Sequence, residues 1–174
     1  NAIPPTNVIS SINIQNKGDT EIMLQIQLKS FKAKGENGEL EYSNEVLSIF
    51  KNIQILDANV PVENITLGPK QQKNLNLSIN IPQDTTVSDY YFSIIFISTD
   101  SPPIESTASV NQIGIAANVL LSVGQKETSK AFIEEFSSNI FFEKGPVPFT
   151  IRIKNEGSQF IKPKGQIIIE NMFG

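Results

Sequence analysis

Aliphatic side chains recur at every second position in this sequence, and that spacing limits what the chain can fold into more than any other feature. Ile22, Leu24, Ile26 and Leu28 alternate with Met23, Gln25 and Gln27. Leu75, Leu77, Ile79 and Ile81 alternate with Asn74, Asn76, Ser78 and Asn80. Along 113–123, Ile113, Ile115, Ala117, Val119, Leu121 and Val123 share one parity. Residues two apart lie on opposite sides of a helix but on one face of a strand, so these segments are expected to be half-buried strands. "YYFSIIFIS" (90–98) is apolar on both parities and is expected to be a central strand covered on both faces. Only "NEVLSIFKNI" (44–53) competes as a short helical turn.

Turn chemistry separates the strands. "KGENGE" (34–39) reads as a glycine-bearing hairpin loop, "LGPKQQ" (67–72) as a Gly-Pro turn, and Pro82 ends a strand because it cannot donate to a ladder. "DSPPIES" (100–106) reads as a rigid polyproline-like loop. Closely spaced strands without a long amphipathic helix predict an all-β fold: an immunoglobulin-like antiparallel β-sandwich, then a partial second sandwich of the same kind. The polar stretch "GQKETSKA" (124–131) is the expected junction, giving one domain over 1–126 and the opening of another over 127–174.

The figure Ile-x-Ile-x-Asn-x-Gly occurs twice, as "INIQNKG" (12–18) and "IRIKNEG" (151–157). In each copy Ile-x-Ile aims two side chains into a core. Asn closes the strand by bonding its own main chain, and Gly is expected at positive φ. The following strand is expected over 20–28 in the first copy and near 160–169 in the second. Duplication of a sandwich module accounts for the pair. Only 44 residues follow residue 130, against roughly 100 in an ordinary sandwich of this type, so the second module is expected to be truncated at Gly174. With Asn1 rather than Met as its first residue, the chain is expected to be an excised or processed piece.

Composition narrows the chemistry. Net charge is −4 and the basic residues are scattered, so no nucleic-acid partner is expected. No stretch approaches the ~18 apolar residues of a membrane helix, so no membrane insertion is expected within this segment, and any anchor lies outside it. Cysteine and histidine are both absent, which removes thiolate metal sites, the commonest zinc ligand and the commonest general base. The 18 acidic residues sit mostly in turns or on polar strand parities, and no catalytic residue, cofactor or metal ligand is assigned. Asp84, Asp89 and Asp100 are the one set that could share a loop calcium, but no spaced ligand loop supports them. Asn64-Ile65-Thr66 and Asn76-Leu77-Ser78 fit the glycosylation sequon.

Two aromatic pairs stand out. Tyr90 or Tyr91 is expected to hold its hydroxyl against a loop backbone, as the tyrosine corner does in sandwiches. Phe31 and Tyr42 flank the hairpin loop. They are the contact candidates for a binding edge, although cross-strand packing explains them as well.

The Asn-x-Gly-ended strand, "ENGELEYS", the Gly-Pro turn before "LNLSINIP", "DYYFSIIF" and "GIAANVLLSVG" together resemble the N-terminal immunoglobulin-like domain of WxL-interacting cell-wall proteins. The ending "IRIKNEGSQFIKPKGQIIIENMFG" resembles the start of the domain that follows it in that family. This resemblance implies a secreted protein at the bacterial cell surface, bound to peptidoglycan or other surface proteins, with no catalytic residue carried over. The expected function is non-enzymatic adhesion or scaffolding at the cell envelope. The alternative is an accessory sandwich of a larger secreted enzyme. A periplasmic pilus-type chaperone is a weaker third reading, since it calls for a complete second domain and basic cleft residues.

Overall fold

The computed structural model describes residues 1–36, 38–99, 114–125, 130–138, 144–157 and 159–169. The expectations for the 100–106 loop with Asp100, for Ile113 and for residues 126–129 of the 124–131 junction fall outside them. The chain divides into two compact units, Asn1–Gln125 and Lys126–Gly174.

The first unit is an immunoglobulin-like β-sandwich. One sheet orders β1 (Thr6–Gln15), β7 (Gln72–Ile81), β4 (Ile53–Asp57) and β5 (Val60–Pro61). The other orders β3 (Glu39–Ser43), β2 (Ile22–Lys34), β8 (Ser88–Ser98) and β9 (Gly114–Val123), with β6 (Asn64–Leu67) beside the start of β2. Every ladder between these strands is antiparallel. The chain alternates between sheets as an immunoglobulin fold does, and a 3-10 turn over Ser48–Asn52 carries it from β3 to β4.

Register converts the alternation into a core. Val8 faces Ile79 and Ile12 faces Leu75 across β1 and β7, while Ile26 faces Phe96 and Leu28 faces Ile94 across β2 and β8. Leu75, Leu77, Ile79 and Ile81 from one sheet thus meet Phe92, Ile94 and Phe96 from the other, all buried. Each such side chain contributes about 1.5–3 kcal/mol of burial, and a one-residue slip would turn the whole set outward.

Turns set that register. Asp57 and Val60 are joined through Ala58 (φ 50) and Asn59 (φ 69), the two positive angles of a type I′ turn. In the Gly-Pro turn, Gln71 N–H donates to Gly68 O at 3.1 Å with Pro69 second and Lys70 third at φ 57, a type II turn. Gly35 and Gly38 supply positive φ in the predicted hairpin loop.

Three expectations need correction. The outer face of β8 is only partly covered: Ser93 is buried there, but Ile95 and Ile97 are half-buried. Gly18 and Gly157 do not take positive φ. A Cβ on Gly18 would instead meet Asn16 Oδ1 at 3.1 Å, and one on Gly157 would meet Asn155 Oδ1 at 3.3 Å. The small residue leaves room for the asparagine side chain that folds back over it.

The third correction lies in the second unit. It pairs β10 (Ala131–Ser138) with β11 (Phe149–Asn155), with a bulge between Ile133 and Glu135. Residues 160–169, expected to form a strand, are not in one. Pro163 lacks a donor and Gly165 interrupts the run, and apolar alternation makes a strand only where a neighbour takes its backbone groups.

Candidate interaction edges

A sheet edge presents a row of unpaired N–H and C=O groups, which folded proteins normally blunt with charge, proline or brevity. This sandwich does so on two of its four edges. β3 carries Glu39 and Glu41, and β5 is two residues long and includes Pro61. The other two edges are treated differently. β1 (TNVISSINIQ) and β9 (GIAANVLLSV) are ten residues each and contain no Asp, Glu, Lys or Arg. Ala2 bridges to Val123 at the end of β9, and four residues on, Thr6 opens β1. The two unguarded edges therefore lie on one flank.

Hydrogen-bond direction shows which groups are offered. Ala2 N–H donates to Ser122 O (2.9 Å) and Gly124 N–H donates to Ala2 O (2.8 Å). Backbone groups alternate sides along a strand, so those of Ala116, Asn118 and Leu120 point to the same edge as those of Ser122. Among the described residues that edge has no other neighbour. The inward-facing row of β9 is finished at one end only. Leu121 and Val123 are buried and Ala117 and Val119 half-buried, but Ile115 is 63% exposed.

The repeated Asn-x-Gly figure builds one hydrogen-bond unit twice. Asn16 Oδ1 accepts Gly18 N–H (2.9 Å), and Asn16 Nδ2 donates to Thr20 O (2.7 Å). Asn155 Oδ1 accepts Gly157 N–H (3.0 Å), and Asn155 Nδ2 donates to Gln159 O (2.9 Å). Asn16 does more. At 4% exposure it also donates to Leu67 O (3.1 Å) and Gly68 O (2.9 Å), tying the end of β1 to the Gly-Pro turn.

Tyr90 fulfils the tyrosine-corner expectation, donating to Thr86 O at 3.0 Å across the loop before β8. Tyr91 points the other way and donates to Asp89 Oδ2 at 3.0 Å, while Ser122 donates to Asp89 Oδ1. Burial, then the hydrogen bond to Asp89 and its negative charge, push the Tyr91 phenol up to about 12. The native protein thus holds this proton where an unfolded tyrosine, near 10, loses it. The stability it contributes is complete below pH ~10 and is lost as pH rises towards ~12. An absorbance titration of Tyr91→Phe should lack the latest phenolate step of the parent, and its unfolding midpoint should fall less between those limits.

Phe31 and Tyr42 face each other across the β2–β3 ladder with ring centroids 6.5 Å apart and edge-on. Phe31 is 8% exposed and also meets Tyr91 at 6.3 Å, whereas Tyr42 is 44% exposed. Of the two contact candidates, only Tyr42 is presented to solvent. Phe31, Tyr90, Tyr91 and Asp89 line a shallow cleft of about 440 Å³. Of the two acids in its lining, Glu45 and Asp89, the second is already committed to Tyr91 and Ser122. Among the described residues no three acidic side chains gather as a metal would require; Asp100 lies outside them.

In the second unit, Ile133 faces Ile153 and Phe136 faces Ile151, placing these four on one side of the ribbon. All four are exposed, and they line a cleft of about 620 Å³ together with Pro163 and Ile167. The opposite side carries Glu135 and Arg152, paired at 2.8 Å. That opposite side also carries Phe132, with the Lys154 ammonium 5.6 Å from its ring centre.

The sequence shows both stretches to be free of ionisable residues, and the sheet order makes edges of them. No helix among the described residues is long and apolar enough to cross a membrane.

No family model matches this chain. No curated protein matches it either. Among solved structures it is similar to the class 5 fimbriae chaperone CfaA, with 14% identity, a TM-score of 0.47, and coverage of 90% of this chain and 63% of that one. It is also similar to a CsuC–CsuE chaperone–tip adhesion subunit pre-assembly complex from Acinetobacter baumannii, at 14% identity, TM-score 0.42, and 86% and 65% coverage. PapD-like domain 7 of human CEP192 is similar at 11% identity and TM-score 0.40, with 72% and 78% coverage. The chain spans under two thirds of the length of the first two. At these identities the likeness is one of fold alone.

Proposed function

We propose that this chain is a non-enzymatic scaffolding or assembly protein of the bacterial cell envelope, and that its first unit binds other proteins by taking an extended segment onto the free edge of β9. The single observation that carries this reading is the ten-residue, charge-free edge of β9, held by Ala2 at one end and open along Ala116, Asn118 and Leu120. Main-chain bonds at that edge supply affinity, and the unfinished row at Ile115, Ala117 and Val119 receives alternate side chains of the incoming segment. The absence of histidine and cysteine, and the internal commitment of Asp89, favour a binding role over catalysis. The resemblance to WxL-interacting proteins supports the envelope location. The second unit is read as the opening of another module of the same kind, supported by the Asn155 figure and the uncovered apolar side of its ribbon.

The test is capture from envelope extract on the immobilised chain, followed by amide exchange on the complex. A protein partner should slow exchange at Ala116, Asn118 and Leu120. Ala116→Pro removes one edge donor and Leu120→Lys installs a guarding charge. Each should weaken capture about 10-fold or more, the equivalent of one or two lost hydrogen bonds. Equal capture by both variants, or capture of glycan alone, would overturn the reading.

A further inference from the structure

The free edge of β1 is a different surface from that of β9, and the chain itself shows what fills an edge of this kind. Asn16 N–H donates to Gln71 O at 2.9 Å, so the even-numbered residues of β1 direct their backbone groups to β7. Asn7, Ile9, Ser11 and Asn13 direct theirs to the other side, where β1 has no neighbour among the described residues. In the repeat, Glu156 N–H donates to Lys130 O at 2.7 Å, which places the antiparallel strand β10 on the matching edge of β11. One copy of the figure carries a strand on that edge; among the described residues the other leaves it bare.

We propose that β1 pairs with β1 of a second copy of this chain, antiparallel about Ser10, so that two four-stranded sheets become one. Two-fold symmetry makes such a contact antiparallel and requires the strand to complement itself. β1 meets that condition. With Ser10 opposite itself, Ile9 faces the partner's Ser11, Val8 faces the partner's Ile12, and Asn7 faces the partner's Asn13. Val8 and Ile12 point inward yet are only half-buried, and each would cover the other across the axis.

The asparagines match in their hydrogen-bond roles. Asn7 Oδ1 accepts from Ser78 Oγ, and Asn13 Nδ2 donates to Asn74 Oδ1. This leaves the Asn7 amide nitrogen to donate and the Asn13 amide oxygen to accept, which is the pairing the register creates. A charged residue anywhere in β1 would repel or misalign its own copy, and there is none. β10, by contrast, carries Glu134 and Glu135 and is already engaged with β11.

The chain has no cysteine, so single cysteines report the geometry cleanly. Ser10 falls at a non-hydrogen-bonded pair, where opposing Cα atoms lie ~4.5 Å apart, within the ~4.4–6.8 Å that a disulfide spans. Under mild oxidation Ser10→Cys should cross-link at least about 10-fold faster than Leu120→Cys on β9, given how steeply disulfide formation depends on that distance. Sedimentation should show the 19.2 kDa chain doubling in mass with concentration. Ser11→Pro, which deletes a donor at the free edge only, should leave it monomeric, while Ala116→Pro should not. If Ser11→Pro fails to fold, the Ser10→Cys and Leu120→Cys rates decide the matter alone. A parent that stays monomeric to about 1 mM, cross-linking at Leu120 as fast as at Ser10, or a dimer dissolved by Ala116→Pro instead would each overturn the proposal. Loss of envelope capture through β9 would leave this pairing untouched, so the two readings fail separately.

Discussion

Asn16→Ala should destabilise the first unit by about 3 kcal/mol, the sum expected for several buried hydrogen bonds to one side chain. In the native protein that side chain accepts from Gly18 and donates to the carbonyls of Thr20, Leu67 and Gly68. Alanine leaves the Leu67 carbonyl without this donor in a region where water does not replace it readily. The Gly68 carbonyl still receives Gln71 N–H, so the loss is less than four full bonds. Asn155→Ala is the internal control. It makes the same turn and the same closing bond, but both are exposed, and its effect should stay below about 1 kcal/mol. Thermal melts of the two variants should therefore differ by roughly 10 °C for a unit of this size. Equal shifts would mean that the buried bonds of Asn16 to the Gly-Pro turn contribute nothing.

That contrast also marks how far the sequence could be read. The repeated seven-residue figure was visible, and so was the asparagine folding back on its own backbone. The cross-sandwich bonds of Asn16 were not, because Leu67 and Gly68 lie 51 and 52 residues away and nothing local announces them. Long alternating strands were legible because one period runs through β7, β9 and the first half of β2, as far as Leu28. The short strands β4, β5 and β6 were missed. Their turn places Ala58 and Asn59 at positive φ without a glycine, so the usual hairpin signature is absent. Residues 160–169 erred in the other direction. "QIII" has strand composition, but composition cannot supply a partner ladder. The tyrosine corner and the Phe31–Tyr42 pair were readable because each depends on neighbours fixed by a nearby turn. The edges were harder. A strand's pattern tells which face is buried, not whether a strand lies beside it, and only the sheet order shows that β1 and β9 are terminal while β3 and β5 carry the guards.

Phe92→Ala should have the largest effect of any single substitution in the first unit, about 4 kcal/mol, as deletion of a fully buried ring usually does. Phe92 is 0% exposed at the centre of β8, with β2 on one side and β9 on the other. Its ring meets the edge of Phe50 from the 3-10 turn at 5.6 Å and 75°. Truncation opens a cavity between the sheets and removes the surface on which that turn rests. Phe92→Leu keeps most of the volume and should cost roughly half as much. Phe92 also lies opposite Val119 in the β8–β9 ladder, directly behind the proposed edge. If β9 binds partners through its main chain, the folded fraction of Phe92→Leu should capture them within about 2-fold of the parent, since the groups at the edge are unchanged. A far larger loss from a variant that melts cooperatively would tie recognition to the packing beneath β9 rather than to its free backbone.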